Sequence, residues 1–442
     1  MNTNRDETST LRREILHLVR EYYLQNMSAR DFIAGETPVH YAGRVHDEKE
    51  MQAAVEAALD FWLTEGRFAS RFEAELAKRV GTKHAILTNS GSSANLLAIT
   101  ALKSTQLNHR RLTPGDEIIT VAAGFPTTVS PIIQNGLVPV FVDVNIPTYN
   151  VMATEIENAL SPKTRAIFLA HTLGNPFDIE RIMSIAQKHE LFVIEDNCDA
   201  LGSTYQGRFT GSFGHLSTCS FYPAHHITLG EGGAVLTSDD ALARIIRSLK
   251  DWGRDCYCKP GMNNCCGQRF AGQHGDLPAG YDHKYVYSQI GYNLKATEFQ
   301  AAIGVEQLQK LDAFCMARRR NFQLWMQGFM PYTDYFILPE ATVNSDPAWF
   351  AFPITVNRAT ARFSRNELTA YLNEHLIETR NMFGGNLLRQ PAYRDITCRR
   401  TGKLPNTERI MHDTFFLGTY PGIGKEQIEY TLAIIDQFLS SR

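Results

Sequence analysis

The sequence predicts an α/β protein built on a mostly parallel sheet, and two observations carry that expectation. Short apolar runs recur at 84–88, 117–122, 138–143, 166–170 and 192–196. Several are almost continuously apolar, as strands buried on both faces are. Helical periodicity separates some of them. It is clearest over 178–190, where Ile179, Ile182, Ile185 and Ala186 face one way. Strands alternating with helices are the signature of this fold class.

The remaining elements follow in chain order. Residues 10–27 read as a helix with Leu11, Ile15, Leu18 and Val19 on one face. Residues 47–80 hold two more helical patterns, around Trp62 and Phe72. Residues 253–290 break the periodicity: they are glycine-rich and contain four cysteines. A long irregular stretch of this kind is usually functional or disordered. Helical pattern resumes near Thr297 and passes Leu311. Helices and strands mix from about residue 320 onward. The expected organisation is an N-terminal helical arm (1–50), a large domain (51–319) with a cysteine-rich insertion (253–290), and a smaller α+β domain (320–442).

Bulk properties narrow the function. The 442 residues are 43% apolar and 21% charged, with a formal net charge of −3. No basic field is present to hold nucleic acid. No stretch approaches the roughly 18 apolar residues of a membrane span. The N-terminus lacks an apolar run of the signal-peptide kind. These features predict a cytoplasmic protein without nucleic-acid or membrane partners. Thiols there stay reduced. The eight cysteines then call for metal binding, catalysis or burial before disulfides.

Three segments suggest chemistry. Asn89-Ser90-Gly91-Ser92-Ser93-Ala94 follows a strand and opens a helix, so free N–H groups there suit an anion; a plain serine cap is the simpler reading. Asp196 ends an apolar strand, where ligands of open α/β sheets sit. It could pair with a protonated pyridine nitrogen, or merely cap a turn. His225 and His226 stand together before Gly230-Glu231-Gly232-Gly233.

Taken jointly, these segments resemble the sugar aminotransferase and dehydratase family of pyridoxal-phosphate enzymes. Gly124-Phe125-Pro126-Thr127, Val140–Val144, Gly291-Tyr292-Asn293 and Gln390-Pro391-Ala392-Tyr393 also match. The resemblance covers roughly residues 35–440. It implies the aspartate aminotransferase-like fold (PLP fold type I), with a large mostly parallel domain and a smaller C-terminal one. It also implies cofactor phosphate at Ser92, Ser93 and Ser220, with Asn293 reaching in from the other subunit of a homodimer. Phe125 would stack on the pyridine ring that Asp196 holds. Arg380 and Asn386 are substrate-binding candidates, an Arg fork suiting a nucleotide diphosphate.

The departure from the family pattern points to the reaction. Family aminotransferases carry a lysine where this chain has His225. Imidazole has no primary amine, so the cofactor, pyridoxamine 5'-phosphate, would be held without a covalent bond. Imidazole can still move protons near neutrality, its ordinary pKa being about 6.5. Within the family this substitution resembles the C3-dehydratases of 4-keto-6-deoxy sugars. Cys198, Cys256, Cys258 and Cys266 are spaced C-x57-C-x-C-x7-C, with Cys265 beside the last. Thiolates in this pattern suit zinc or an iron–sulfur cluster. The spacing resembles that of dehydratases bearing a 2Fe-2S cluster. Those act on CDP-4-keto-6-deoxyglucose with a flavin/iron–sulfur reductase partner, on the way to 3,6-dideoxyhexoses of O-antigen and lipopolysaccharide. Cys198 lies two residues beyond Asp196, at most about 7 Å between Cα atoms, so cluster and ring would be neighbours, within about 10–15 Å. The competing readings are a cluster-free dehydratase that recycles its cofactor with glutamate, and a non-catalytic zinc-bearing scaffold.

Overall fold

The structure, a computed structural model, describes residues 3–27, 31–258, 261–265, 267 and 269–441. Its centre is an eight-stranded sheet. The strand order is His84–Thr88, Gly233–Thr237, Leu216–Ser220, Phe192–Asp196, Thr164–Ala170, Glu117–Val121, Val138–Val142, Arg399–Arg400. Gly233–Thr237 runs antiparallel to both neighbours, and the other pairings are parallel. The sheet is therefore mixed but mostly parallel.

Alternation along the strands feeds two cores. Ile119, Val121, Ile167, Leu169 and Val193 pack on one face with Ile156, Ile179 and Ile182. Ile118, Ala166, Phe168 and Ile194 pack on the other with Leu97, Ala98, Ile245 and Ile246. Both faces are covered, which explains the near-continuous apolar runs. The helix Ile179–Lys188 begins at Asp178, whose side chain accepts from the Arg181 N–H at 3.3 Å.

The helix Glu298–Phe329 joins two further cores. Ala301, Val305 and Leu308 pack with Phe72 and Leu236. Phe322, Trp325 and Phe329 pack with Phe352, Phe415 and Ile435. That second core underlies an antiparallel sheet ordered Phe336–Ile337, Ala351–Val356, Thr414–Gly418, Arg380–Asn381. The N-terminal helix spans Thr3–Asn26 and is tied back by Arg12, which reaches Asp60 at 2.8 Å. Its expected apolar face stays open in the single chain, with Leu11 and Leu18 59% and 66% exposed. No helix among the described residues is long and apolar enough to cross a membrane.

Candidate active site

The parallel strands end along one edge of the sheet, and a cavity of about 670 Å³ opens there. Asp196 forms part of its wall and is 5% exposed. Its Oδ2 accepts from Thr128 Oγ1 at 2.7 Å and Asn95 Nδ2 at 3.0 Å, and its Oδ1 from the Cys198 N–H at 3.2 Å. Thr218 Oγ1 donates to Asn95 Oδ1 at 2.6 Å, which fixes the amide so that its NH2 faces the carboxylate. A buried carboxylate this well supplied with donors is held in one place.

The neighbouring Glu195 points to the opposite face. It accepts from the N–H groups of Gly211 (2.8 Å), Phe213 (2.8 Å) and Gly214 (2.7 Å), and pairs with the buried His171 at 3.0 Å. Burial alone would raise its pKa, but His171 and the backbone donors bring it below the ordinary range.

Another part of the wall is the start of the helix Gly91–Ala101. A Cβ on Gly91 would stand 2.4 Å from Ser220 Cβ, and one on Gly233 would stand 2.3 Å from the Ser90 carbonyl oxygen. These glycines let the turn close onto Ser220. Gly91, Ser92 and Ser220 line the cavity beside unsatisfied helix N–H groups. Ser93 does not line it: its N–H donates to Ser90 Oγ at 3.1 Å, and its hydroxyl accepts from the same atom at 3.0 Å. Ser93 is thus the cap's partner, a correction to its expected place on a phosphate.

His225 lines the cavity on the turn after the strand Leu216–Ser220. Its ring packs against Phe350 at 5.5 Å. Nδ1 lies 3.5 Å from Asp199 Oδ1 and faces the Cys198 backbone, yet it is buried without an aligned hydrogen bond. Burial, reinforced by the Arg318 guanidinium, lowers the imidazole pKa to about 4, so it is neutral at pH 7. Burial and the charge of Asp196 push Asp199 up to about 8. Arg318 donates to the carbonyls of His225 (3.1 Å) and Phe350 (3.0 Å), pinning the histidine turn to the second sheet. His226 points away: it is buried and hydrogen-bonded to the Ala348 carbonyl, a packing role.

The other expected residues divide. Phe125 lines the cavity, 51% exposed and edge-on to Phe383 at 5.8 Å. Arg380 lines it with its guanidinium 4.0 Å from the Tyr41 ring centroid. Asn386 does not: it is buried, accepts from the Leu388 N–H at 3.0 Å and donates to Glu408 at 2.8 Å. It caps a turn rather than facing substrate, because its amide is consumed locally. Asn293 is exposed and lies outside this cavity in its own chain, paired through its backbone with Asp251.

Cys198 lines the cavity; burial, with Asp196 beside it, raises its thiol pKa well above the ordinary value. Cys256 and Cys258 lie on the 253–290 loop and do not line the cavity. Cys266 lies outside the described residues. Among the described residues no three cysteines bring their sulfurs together; the fourth expected ligand lies outside them. Asn95, Thr128 and Asp199 escaped the sequence reading; Arg318, whose run with Arg319 and Arg320 suggests a solvated helix face, is instead 1% exposed. Only Asp199, three residues past Asp196, carried a local signal.

Pyridoxamine phosphate fits this cavity: a fixed carboxylate for a ring nitrogen, a helix start with two serines for a phosphate, and an imidazole in the wall. The profile of the DegT/DnrJ/EryC1/StrS aminotransferase family matches residues 45–436. The chain belongs to this family. Among family relatives it is 53% identical over 430 residues to the lipopolysaccharide biosynthesis protein RfbH of Salmonella typhimurium, covering 97% of this chain and 98% of that one. It is 52% identical to the dTDP-4-dehydro-2,6-dideoxy-D-glucose 3-dehydratase of Saccharopolyspora spinosa, over 96% of this chain and 92% of that one. The E. coli GDP-4-keto-6-deoxy-D-mannose-3-dehydratase, solved with bound hydrated PLP, superposes with a TM-score of 0.80 at 29% identity, over 90% of this chain and 100% of that one.

Proposed function

We propose that the chain is a nucleotide-sugar 3-dehydratase that works with pyridoxamine phosphate. His225 carries this reading: an imidazole stands in the cavity wall of a family whose aminotransferases use an amine there. The 3-dehydratase activity named for its relatives supports it. The bound cofactor supplies a primary amine and a conjugated ring that can hold an electron pair. Asp196 pairs with the ring nitrogen and favours its protonated form. Ser92 and Ser220 hold the phosphate with the helix N–H groups, and Phe125 covers the ring. His225, neutral at pH 7, would take a proton from the cofactor's methylene carbon at Nε2. The substrate would be a 4-keto-6-deoxy sugar, whose C3 hydroxyl is lost as water. Arg380 offers its fork to the sugar's diphosphate.

The finer assignments belong to the same proposal. The thiols of Cys198, Cys256, Cys258 and Cys266 would hold a 2Fe-2S cluster, which would pass on single electrons from a flavin/iron–sulfur reductase. The substrate carries CDP, and the chain works in the cytoplasm. A second copy contributes Asn293 in a homodimer; its exposed position off its own cavity supports this, as do the exposed Tyr287 and Ile290 nearby.

Anaerobic visible and electron paramagnetic resonance spectra, before and after dithionite, test the cluster. Bands that bleach with a 2Fe-2S signal support the reductive enzyme. A colourless, iron-free protein, reconstituted anaerobically and still binding pyridoxamine phosphate, would shift the reading to glutamate recycling. A GDP-sugar relative trapped with a PLP–glutamate geminal diamine makes that the second reading. Failure to bind pyridoxamine phosphate would overturn the dehydratase itself.

A further inference from the structure

The loop 253–290 contains a second constellation that the dehydratase reading does not use. Asp255, His274 and His283 each bring one ligand atom to within 4.8 Å of the others. His283 Nε2 lies 2.7 Å from Asp255 Oδ2. The His274 ring lies parallel to that of His283, 4.8 Å between centroids and 10° between planes. His283 is only 8% exposed. Its Nδ1 and the Nε2 of His274 are both buried without a hydrogen-bond partner. Buried imidazole nitrogens left unpaired are costly unless something fills their lone pairs.

The backbone is arranged around these three residues. The Asp255 N–H donates to the Val286 carbonyl at 2.9 Å, and the His283 N–H to the Arg269 carbonyl at 2.8 Å. Arg269 then forks onto Asp282 at 3.0 and 2.6 Å. Gly272 closes on His274, where a Cβ would stand 2.6 Å from Nε2. Among the described residues of this loop, Gly253, His283 and Val286 alone are buried. The centre of the loop is therefore a polar cluster in the place of an apolar core.

We infer that Asp255, His274 and His283 form a binding site for a divalent transition-metal cation of the zinc class, which staples three arms of the loop together. Two imidazoles and one carboxylate suit zinc, cobalt, nickel or iron(II), whereas calcium and magnesium take oxygen donors. Three protein ligands leave a coordination position for water. A cation that links distant chain segments couples its binding to the ordering of the loop. Its donors are nitrogen and oxygen, unlike the thiolates that would hold a cluster.

The test is a cobalt(II) titration of the full-length, chelator-stripped protein, read by visible spectrum and metal content. The expected result is one equivalent of cobalt with d–d bands that persists, free of thiolate-to-cobalt charge transfer, when the cysteines are first alkylated. His274→Gln and Asp255→Asn should each lose that equivalent while the far-ultraviolet circular dichroism stays unchanged. Asp255 is exposed, so its variant keeps the test open should a histidine variant misfold. Equal cobalt binding with the same spectrum in both variants would overturn the site. So would wild-type cobalt showing thiolate bands alone.

Discussion

Two aspartates show how differently the molecule holds its polar groups. Asp196 accepts from Thr128, Asn95 and the Cys198 N–H, donors on three separate segments, at the end of a strand buried on both faces. Asp255 is exposed, and its carboxylate pairs with one histidine of the same irregular loop. The first is fixed by the whole sheet, and the second by its own neighbourhood. Positions set by long-range packing open only when the domain unfolds, whereas locally held segments open on their own. The cavity should therefore answer substitutions with large, shared losses, and the loop with small, private ones.

The sharpest test of the cavity is His225→Asn. Turnover should fall about 10²- to 10⁴-fold, the usual worth of a positioned base, while pyridoxamine phosphate still binds in a spectral titration. Ordinary turnover would remove His225 from the proton transfer. Next is Asp196→Ala. It should abolish cofactor binding and lower the unfolding free energy by about 1–3 kcal/mol, because Thr128 and Asn95 lose a buried acceptor. Urea denaturation with and without cofactor separates the two effects. Gly91→Ala should cost a similar or smaller amount, about 1–3 kcal/mol, by forcing Ser220 away from the helix start. It should weaken binding of the cofactor phosphate more than binding of the ring. Asn386→Ala should cost about 0.5–2 kcal/mol as a lost cap and leave the KM for the sugar unchanged. A raised KM would return Asn386 to the cavity. The loop should show the smallest effect: trypsin should cut after Arg269 before cutting the sheet, with no shift in the urea midpoint of the nicked chain. A large shift would mean that loop and cavity form one cooperative unit.

Much of this was legible in the sequence because the sheet writes itself locally. The runs around Ile118, Phe168 and Ile194 are almost continuously apolar since both faces are covered. Phe125, Asp196, Ser220 and His225 could be placed because each sits within a short motif at a strand end. Asn95, Thr128 and Arg318 could not: their value lies in reaching Asp196 or the His225 carbonyl across long stretches of chain, which no local pattern records. Ser93 and Asn386 lie off the cavity in the structure for the opposite reason. Their motifs suited a ligand, but a neighbouring backbone or side-chain group already claimed their hydrogen bonds. The face of Leu11 and Leu18 was correctly read as apolar, yet the single chain leaves it uncovered. Periodicity reports that a face needs a partner without saying which.

The adjacent carboxylates Glu195 and Asp196 carry a consequence for how this chain can change over generations. Successive strand residues face opposite sides, so one carboxylate anchors the 211–214 turn while the next looks into the cavity. Gain or loss of a single residue within Phe192–Asp196 would exchange their sides. It would deprive the turn of its anchor and the cavity of its carboxylate in the same event. Insertions and deletions should therefore be purged from this strand far more strictly than substitutions, and lineages should vary in its side chains while keeping its length.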